Sequence, residues 1–231
     1  ISQNANVTLT GKGDINYTAT AGDIDMLADT RTSTQTGDIR YTAGKNIHSE
    51  TLNTQAGDIA LTAGENILAG KDITTALGNI NLVATAGSIE TEADAPISAT
   101  EGNITLTAAT NISQNANVTL TGKGDINYTA NTGDIAQNAN TAADQGNVNY
   151  TATAGNIDML ADTRTSTQTG DITYTAGTNI AISHLNTADS KKIVLAANQG
   201  NISVVENTLY DSHIETGTLV ASAKKGIGSF L

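Results

Sequence analysis

The chain has 231 residues, with 23 acidic against 11 basic residues and a formal net charge of −12. It contains one Phe, one Pro, no Trp and no Cys, but 22 Gly. The missing Cys excludes a disulfide scaffold, a Cys-ligated zinc site and a thiol nucleophile. The acidic excess argues against a nucleic-acid partner, which needs clustered Lys and Arg. No apolar run reaches the ~20 residues of a membrane-spanning helix, so we expect no membrane insertion.

A long internal repeat organises the sequence, and such a repeat has to be recognised before the fold is assigned. Residues 1–19 recur unchanged at 112–130, and residues 16–47 recur at 149–180 with substitutions at Asp23, Arg40 and Lys45. The offsets of these two matches are 111 and 133 residues, so they differ by 22. Residues 1–47 therefore resemble 112–180 with one unit of about 22 residues inserted near 132–153.

Each unit carries three short apolar segments. The first follows a Gly-(Asp/Asn) pair, and its aliphatic residues are Ile15, Ile39, Ile59, Ile80, Ile104, Ile126, Val148 and Ile172. A second series runs Ile1, Ile24, Ile47, Ile67, Ile89, Ile112, Ile135, Ile157, Ile180, Ile202 and Ile227, and a third runs Val7, Leu52, Ile73, Ile97, Val118 and Leu185. Apolar and polar residues alternate within segments such as INYTA, which is typical of strands. The Gly-Asp and Gly-Asn pairs suit corners, where Gly adopts positive φ and Asx side chains bond the backbone.

These features predict an all-β fold, a right-handed parallel β-helix of about ten three-sided coils of ~22 residues. Handedness follows from the rule for parallel crossovers. Stacked coils bury an apolar stripe that one coil leaves exposed, and their register permits insertion only of whole coils. We expect a single repeat segment over 1–231, internal to a longer protein, with degenerate last coils at 203–231. The ends are expected to continue into more coils or to stack on another copy.

Five of the six Tyr fall two residues after a first-series aliphatic residue, and they are Tyr17, Tyr41, Tyr128, Tyr150 and Tyr174. We interpret them as stacked core or corner residues with hydrogen-bonded hydroxyls, and less readily as an aromatic stripe for sugars. The polar runs Asp29–Thr36 and Asp162–Thr169 lack a core aliphatic residue. We expect them to form loosely packed sides or bulges that serve as contact surfaces.

The sequence offers little catalytic or metal chemistry. Asp14, Asp38 and Asp58 occupy equivalent corners, where bonding to backbone is favoured over a calcium site. We expect Arg31 and Arg164 to pair with the neighbouring Asp29 and Asp162. We expect His48, His184 and His213 to be surface or corner residues in different coil positions. We therefore predict no catalytic, metal or cofactor-binding residues and no enzyme. An outward Thr ladder is too irregular to favour ice binding.

The tracts GDIDMLADTRTSTQTGDIRYTAGKNI, GDIALTAGENI and GNIDMLADT resemble the haemagglutinin-type repeats of filamentous haemagglutinin and related large exoproteins of Gram-negative bacteria. The resemblance implies a right-handed β-helical shaft that is exported by two-partner secretion through an outer-membrane transporter. It further implies adhesion, biofilm formation or display of a distal toxin. The secretion domain and a toxin domain are not recognisable in this sequence.

The expected function is that of a structural shaft of a secreted or cell-surface adhesin, which gives length and stiffness for attachment to a host or bacterial cell surface. The alternative is a binding module that recognises a glycan or a protein along its side. Three further roles are less favoured: the stick of a contact-dependent toxin delivery protein, a polysaccharide-acting enzyme and an ice-binding face.

Overall fold

The computed structural model describes residues 1–206 and 208–228. Within these residues the chain forms three parallel β-sheets and no helix. The chain visits sheet 1, sheet 2 and sheet 3 in turn and then returns to sheet 1, so every third strand is a hydrogen-bonded neighbour. Successive strands of sheet 3, the sheet that begins with Ile15–Ala19, start 20 to 26 residues apart along the chain. The predicted parallel β-helix of about ten three-sided coils is confirmed.

The strand bounds follow the three apolar series. Sheet 1 consists of Ser2–Gln3, Ile24–Met26, Ile47–Ser49, Ile67–Ala69, Ile89–Thr91, Ile112–Gln114, Ile135–Gln137, Ile157–Met159, Ile180–Ile182, Asn201–Val204 and Gly226–Ile227. Sheet 2 consists of Val7–Leu9, Arg31–Thr34, Thr51–Thr54, Ile73–Leu77, Ile97–Glu101, Val118–Lys123, Thr141–Gln145, Arg164–Thr167, His184–Thr187 and Ile214–Glu215. Sheet 3 consists of Ile15–Ala19, Ile39–Ala43, Ile59–Ala63, Ile80–Ala84, Ile104–Ala108, Ile126–Ala130, Val148–Ala152, Ile172–Ala176, Lys192–Ala197 and Thr218–Ala223.

The core consists of columns of equivalent side chains. In sheet 3, Ile39 pairs in register with Ile15 and Ile59, and Ala43 pairs with Ala19 and Ala63. The Ile columns are almost completely buried from Ile24 to Ile202 in sheet 1 and from Ile15 to Ile193 in sheet 3, whereas Ile1 and Ile227 at the ends are about half-exposed. Each buried Ile contributes about 1.5–3 kcal/mol through removal of apolar surface from water. A slip of one residue would turn a whole strand's apolar side chains outward, so this burial fixes the register.

The glycines that open the Gly-(Asp/Asn) pairs are required by the close approach of neighbouring coils. A Cβ added to Gly57 would overlap the carbonyl oxygen of Gly37, and one added to Gly78 would overlap that of Gly57. Among the glycines of the described coils, positive φ occurs only at Gly102, Gly124 and Gly146. The expectation that corner glycines generally serve positive φ is therefore wrong, because most of them are selected by backbone contact.

The two polar runs are regular parts of the solenoid. Arg31–Thr34 and Arg164–Thr167 are strands of sheet 2, paired in register on both sides. Thr32 and Thr165 are fully buried where other coils place an aliphatic residue. The expectation of loose sides or bulges is wrong because hydrogen bonds replace apolar packing at these positions. The register shift seen in sheet 2 lies instead between Leu120 and Lys123.

The coils after residue 203 are less regular than those before them. The connection between sheets 1 and 2 lengthens here, since it runs from Val204 to Ile214. The last strands of all three sheets still pair with the preceding coil, but Leu219 is 39% exposed although its partner Ile193 is fully buried. Asn207 and residues 229–231, which belong to the predicted degenerate region, lie outside the described residues.

The stacking predicts that a whole coil can be removed. Deleting residues 132–153 joins Asn131 to Ala154 and gives INYTANAGNIDML, which closely matches INYTATAGDIDML at residues 15–27. We expect this variant to keep the β-sheet circular dichroism of the parent and one cooperative thermal transition. Its stability should fall by one repeat's contribution, because each repeat contacts only its neighbours.

The matched control deletes residues 132–142, which is half of the same coil. The strands after this cut meet the wrong sheets, so we expect loss of the single cooperative transition. Equal melting behaviour of the two deletion variants would contradict the requirement for whole coils.

Candidate functional site

Two columns of side-chain hydrogen bonds run along corners of the solenoid. In the column before sheet 3, the backbone N–H of each residue donates to the side-chain oxygen of its equivalent one coil earlier, at 2.7–3.1 Å. This column contains Asp14, Asp38, Asp58, Asn79, Asn103, Asp125, Asn147, Asp171 and Lys192, the last as donor only. The prediction that corner Asx residues bond backbone is confirmed, and each bond joins two coils.

The second column lies before sheet 1 and follows the same rule. It contains Asp23, Asn46, Asn66, Ser88, Asn111, Asp134, Asn156, Asn179 and Asn201. The backbone and side-chain N–H groups of Asn46 hold the pKa of Asp23 below its usual value, because both donate to the carboxylate. A carboxylate thus serves in these columns as a hydrogen-bond acceptor for the next coil.

Arg40 lies beside the run of three successive aspartates in the first column. Its guanidinium group forms ion pairs with Asp14, at 3.6 Å, and with Asp38. In the second copy of the repeat Thr173 replaces Arg40, and the corner residues beside it are Asn147 and Asp171, so the arginine is absent where one of the two adjacent carboxylates is an amide. Within the described residues no group of three or more His, Cys, Asp or Glu side chains is placed to hold a metal ion.

Three buried Gln–Thr–Tyr clusters cross the core and join all three sheets. In each, a Tyr hydroxyl and a Thr hydroxyl contact one another and the Oε1 atom of a Gln from the preceding coil, at 2.6–3.2 Å. The clusters are Gln3–Thr32–Tyr41, Gln114–Thr141–Tyr150 and Gln137–Thr165–Tyr174. The Nε2 atom of each Gln donates to backbone carbonyls, so both ends of the amide are satisfied.

The clusters explain the distribution of Tyr and Leu along sheet 3. Coils with a buried Leu or Ile as the aliphatic residue of sheet 2 place Leu in sheet 3, as in the pair Leu52 and Leu61. The three coils with Thr at that same aliphatic position place Tyr nine residues later. Tyr128 is an exception because its coil carries Val118, and its buried hydroxyl has no hydrogen-bond partner among the described residues. The Tyr rings also contact one another, with centroid distances of 4.3–4.8 Å.

The interpretation of these tyrosines as stacked core residues is therefore confirmed, apart from the unpaired Tyr128 hydroxyl and the half-buried Tyr17. Burial raises the pKa of Tyr41, Tyr128, Tyr150 and Tyr174 well above its usual value, because a buried phenolate loses its hydration. Sequence reasoning missed Thr32, Thr141 and Thr165 as core residues. The available signal was a Tyr nine residues after each Thr together with a polar residue directly before that Thr, since Thr8 and Thr119 have the same spacing but follow Val.

The arginines and histidines depart from their predicted surroundings. Arg31 and Arg164 donate from Nη2 to Asn53 and Asn186 of the next coil, at 3.2 and 3.0 Å, instead of pairing with aspartate. Their neighbours Asp29 and Asp162 occupy left-handed turns with φ of 63° and 61°. The predicted local ion pairs are wrong: the Asp162 carboxylate accepts hydrogen bonds from Thr208 and Leu209, and each arginine donates to an asparagine.

His48 is half-exposed in sheet 1, with its Nε2 atom 3.5 Å from Glu50 Oε1. His184 is only 2% exposed and stacks on Tyr210, at a centroid distance of 4.1 Å. The pairing of Leu185 with Ile214 also makes His184 and His213 neighbours at equivalent positions. The expectations that all three histidines are surface or corner residues and occupy different coil positions are therefore wrong.

Two matched hollows on the outer face of sheet 2 surround the arginines. Groove 1 has a volume of about 320 Å³ and is lined by Arg31 together with Thr8, Thr10, Ser33, Gln35, Asn53 and Gln55 among others. Groove 2 has a volume of about 440 Å³, and Arg164, Ala142, Asp144, Ser166, Gln168 and Asn186 contribute to its lining. In both, the arginine backbone N–H donates to an Asn of the preceding coil at 2.8 Å.

The outer face of sheet 3 carries two polar columns. Thr105, Asn127, Asn149 and Thr173 form one over four coils, and Thr107, Thr129, Thr151 and Thr175 form the other. Val83 and Ala196 interrupt the second column on either side. Sheet 3 also has a hollow of about 510 Å³ beside the small outward Ala60.

The fold places the chain in the class of parallel β-solenoid repeat proteins. Comparisons with protein-family models, with curated proteins and with solved structures find no match. No helix of the described residues has the length and hydropathy needed to cross a membrane. The geometry of this chain is therefore the basis for a functional inference.

The clusters predict different effects for two similar substitutions. Tyr150→Phe removes a hydroxyl that contacts Thr141 and Gln114 at 2.7 and 2.9 Å, whereas Tyr128→Phe removes one without a partner. We expect the free energy of unfolding to fall by about 1 kcal/mol for Tyr150→Phe. For Tyr128→Phe it should stay unchanged or rise, as measured by urea denaturation. Equal losses for both variants would contradict the assigned hydrogen bonds.

The raised tyrosine pKa values predict alkaline unfolding. The folded-state pKa lies above the value of about 10 in the unfolded chain, so this contribution to stability is complete below pH ~10 and declines above it. We expect Tyr41, Tyr128, Tyr150 and Tyr174 to ionise only together with loss of β-sheet circular dichroism. NMR of ring-labelled tyrosine, followed against pH, distinguishes the individual residues. Ionisation of these four near pH 10 in a folded chain would show the prediction to be wrong.

Proposed function

We propose that this chain is the structural shaft of a secreted or cell-surface bacterial adhesin. The observation that supports the proposal is the uninterrupted stacking of eleven strands in sheet 1 and ten in each of sheets 2 and 3. Ten steps of ~4.8 Å give a rod about 48 Å long, and each further coil lengthens it by one strand spacing. Length in such a protein is proportional to coil number.

Resistance to bending supports the same role. Each inner coil is joined to both neighbours by three parallel ladders and by the two corner columns. Bending would stretch these bonds on the outer side of the curve and compress packed Ile columns on the inner side. Close-packed protein interiors have low compressibility, so the rod should transmit force along its axis.

The outer surface supports an extracellular, solvated role. The net charge of −12 is carried by a chain whose core columns are apolar or neutral, and it favours separation of neighbouring rods in solution. The resemblance of the Gly-Asp-Ile tracts to haemagglutinin-type repeats supports export through an outer-membrane transporter and contact with a host or bacterial cell surface. The use of corner carboxylates as structural acceptors favours a shaft over a catalytic surface.

The repeat provides a direct test of the shaft. Because residues 112–130 repeat residues 1–19, extra copies of residues 1–111 join without a change in register. Each copy adds five coils, or about 24 Å. In the bacterium that produces the protein, we expect attachment to its target surface to change progressively with the number of added copies. Antibody labelling would verify equal surface amounts.

The matched control keeps the length and changes the outer faces, with Thr129→Ser and Thr151→Ser in sheet 3 and Ser98→Thr in sheet 2. We expect these variants to attach like the parent. Attachment that is independent of the number of coils but changes with the outer-face substitutions would contradict the proposed shaft function. It would favour a module that binds its target along its side.

A further inference from the structure

Groove 1 and groove 2 contain the same arginine–asparagine pair, six coils apart on sheet 2. Arg31 contacts Asn53, and Arg164 contacts Asn186, through the same pair of atoms. Six steps of ~4.8 Å separate the two grooves by about 29 Å along the rod. Because the side chains project from equivalent positions of one sheet, both grooves face the same direction.

The asparagine of each pair lies in a part of the repeat that has otherwise diverged. Residues 48–51 read HSET whereas residues 181–184 read AISH, and residues 55–58 read QAGD whereas 188–191 read ADSK. Between these stretches, Leu-Asn-Thr is retained at 52–54 and 185–187. Arg40, which contacts neither groove asparagine, is replaced by Thr173 in the second copy. The two internal copies therefore retain the Arg–Asn pair where adjacent residues have changed.

The surroundings of the two pairs differ in charge. Among the described residues that line groove 1, Arg31 is the one charged side chain, and the others include three Thr, one Ser, one Asn and two Gln. In groove 2, Asp144 takes the place of Thr10. Glu215 takes the place of Thr74 as the group that accepts a hydrogen bond from the asparagine amide. Groove 1 is therefore locally cationic on a chain of net charge −12, and groove 2 is not.

We propose that groove 1 binds an acidic glycan through a sugar carboxylate. The Arg31 guanidinium group is exposed, and its contact with Asn53 limits its orientation. A planar guanidinium group binds a carboxylate with two parallel hydrogen bonds. The surrounding hydroxyl and amide groups supply donors and acceptors that match sugar hydroxyls. The volume of about 320 Å³ lies at the lower end of the range of ligand sites.

The lining favours a glycan over an acidic peptide. Leu9 is the single apolar side chain among the described residues that line groove 1, and it is half-buried in the sheet. A peptide anchors through apolar or aromatic side chains in desolvated pockets, and this lining provides no such pocket. A sugar that carries several hydroxyl groups and a carboxylate matches this lining, because the carboxylate pairs with Arg31 and the hydroxyl groups bond the surrounding Thr, Ser, Asn and Gln side chains.

The probe for this proposal is a hexamer of galacturonic acid, added to the complete chain at low salt. In NMR spectra of the arginine side chains, we expect the Nε–H signal of Arg31 to shift on titration while that of Arg164 stays in place. Arg31→Gln should weaken the affinity at least tenfold in calorimetry, and the matched Arg164→Gln should leave it unchanged. A neutral hexamer of galactose should bind at least tenfold more weakly than the acidic one.

Charge exchange between the grooves provides the sharper control. Thr10→Asp with Thr74→Glu gives groove 1 the carboxylates of groove 2, and we expect loss of binding with unchanged circular dichroism. Asp144→Thr with Glu215→Thr should make the Arg164 signal respond to the hexamer.

Equal shifts at both arginines in the parent chain, or unchanged affinity of Arg31→Gln, would overturn the proposal. Tighter binding of a hexaglutamate peptide than of the sugar would overturn it in favour of a peptide ligand. These measurements test only binding to groove 1, so a negative result does not contradict the proposed shaft function. Likewise, attachment that does not depend on shaft length would not contradict glycan binding in groove 1.

Discussion

The stacking of equivalent residues at one strand spacing is the constraint on which the rest of this structure depends. At ~4.8 Å, each side chain has its own equivalent as nearest neighbour above and below. Columns of one residue type are stable only if that type packs or bonds well with itself. Ile and Ala satisfy this condition by packing, and Asn satisfies it because its carbonyl accepts the next coil's N–H while its amide donates. Successive aspartates stack less well because their carboxylates carry the same charge, and Arg40 forms ion pairs with two of them, Asp14 and Asp38.

The Gln–Thr–Tyr clusters show how this narrow core accommodates polar groups. A buried hydroxyl or amide without a partner costs roughly 1–3 kcal/mol, so the three residue types have to occur together. Each cluster takes its Gln from the preceding coil, and the coils are thereby bonded through the core as well as through their backbones. Tyr128 shows the alternative, in which a Val replaces the Thr and the hydroxyl is left unpaired. Its stacking on Tyr150, at a centroid distance of 4.3 Å, retains the ring in the column.

The extent to which the sequence predicts the structure depends on whether a feature is local or lies between coils. Alternation within INYTA and the spacing of Ile15, Ile24 and Ile39 are local, and they correctly predicted strands, corners and coil length. The burial of Thr32 and Thr165 depends on Tyr and Gln residues 9 and 28 or 29 positions away. The polar composition of these runs alone therefore led to the prediction of loosely packed sides or bulges. The Arg31–Asn53 contact and the close approach of Gly57 to Gly37 also lie between different coils. Local features therefore gave the wrong explanation for both residue types, namely an ion pair for the arginine and positive φ for the corner glycine.

The identity of residues 1–19 with 112–130 has a genetic consequence. Recombination between the DNA segments that encode these tracts would add or remove five complete coils, and the join would preserve every column of the core. Most proteins lose their fold after an exchange of this size, since their contacts are specific to one place in the chain. In this chain, each position of residues 1–19 can be joined to the position that follows its counterpart in residues 112–130, because the two tracts are identical. A single recombination event would therefore change the length of this protein by about a hundred residues, without a new contact having to form in its core.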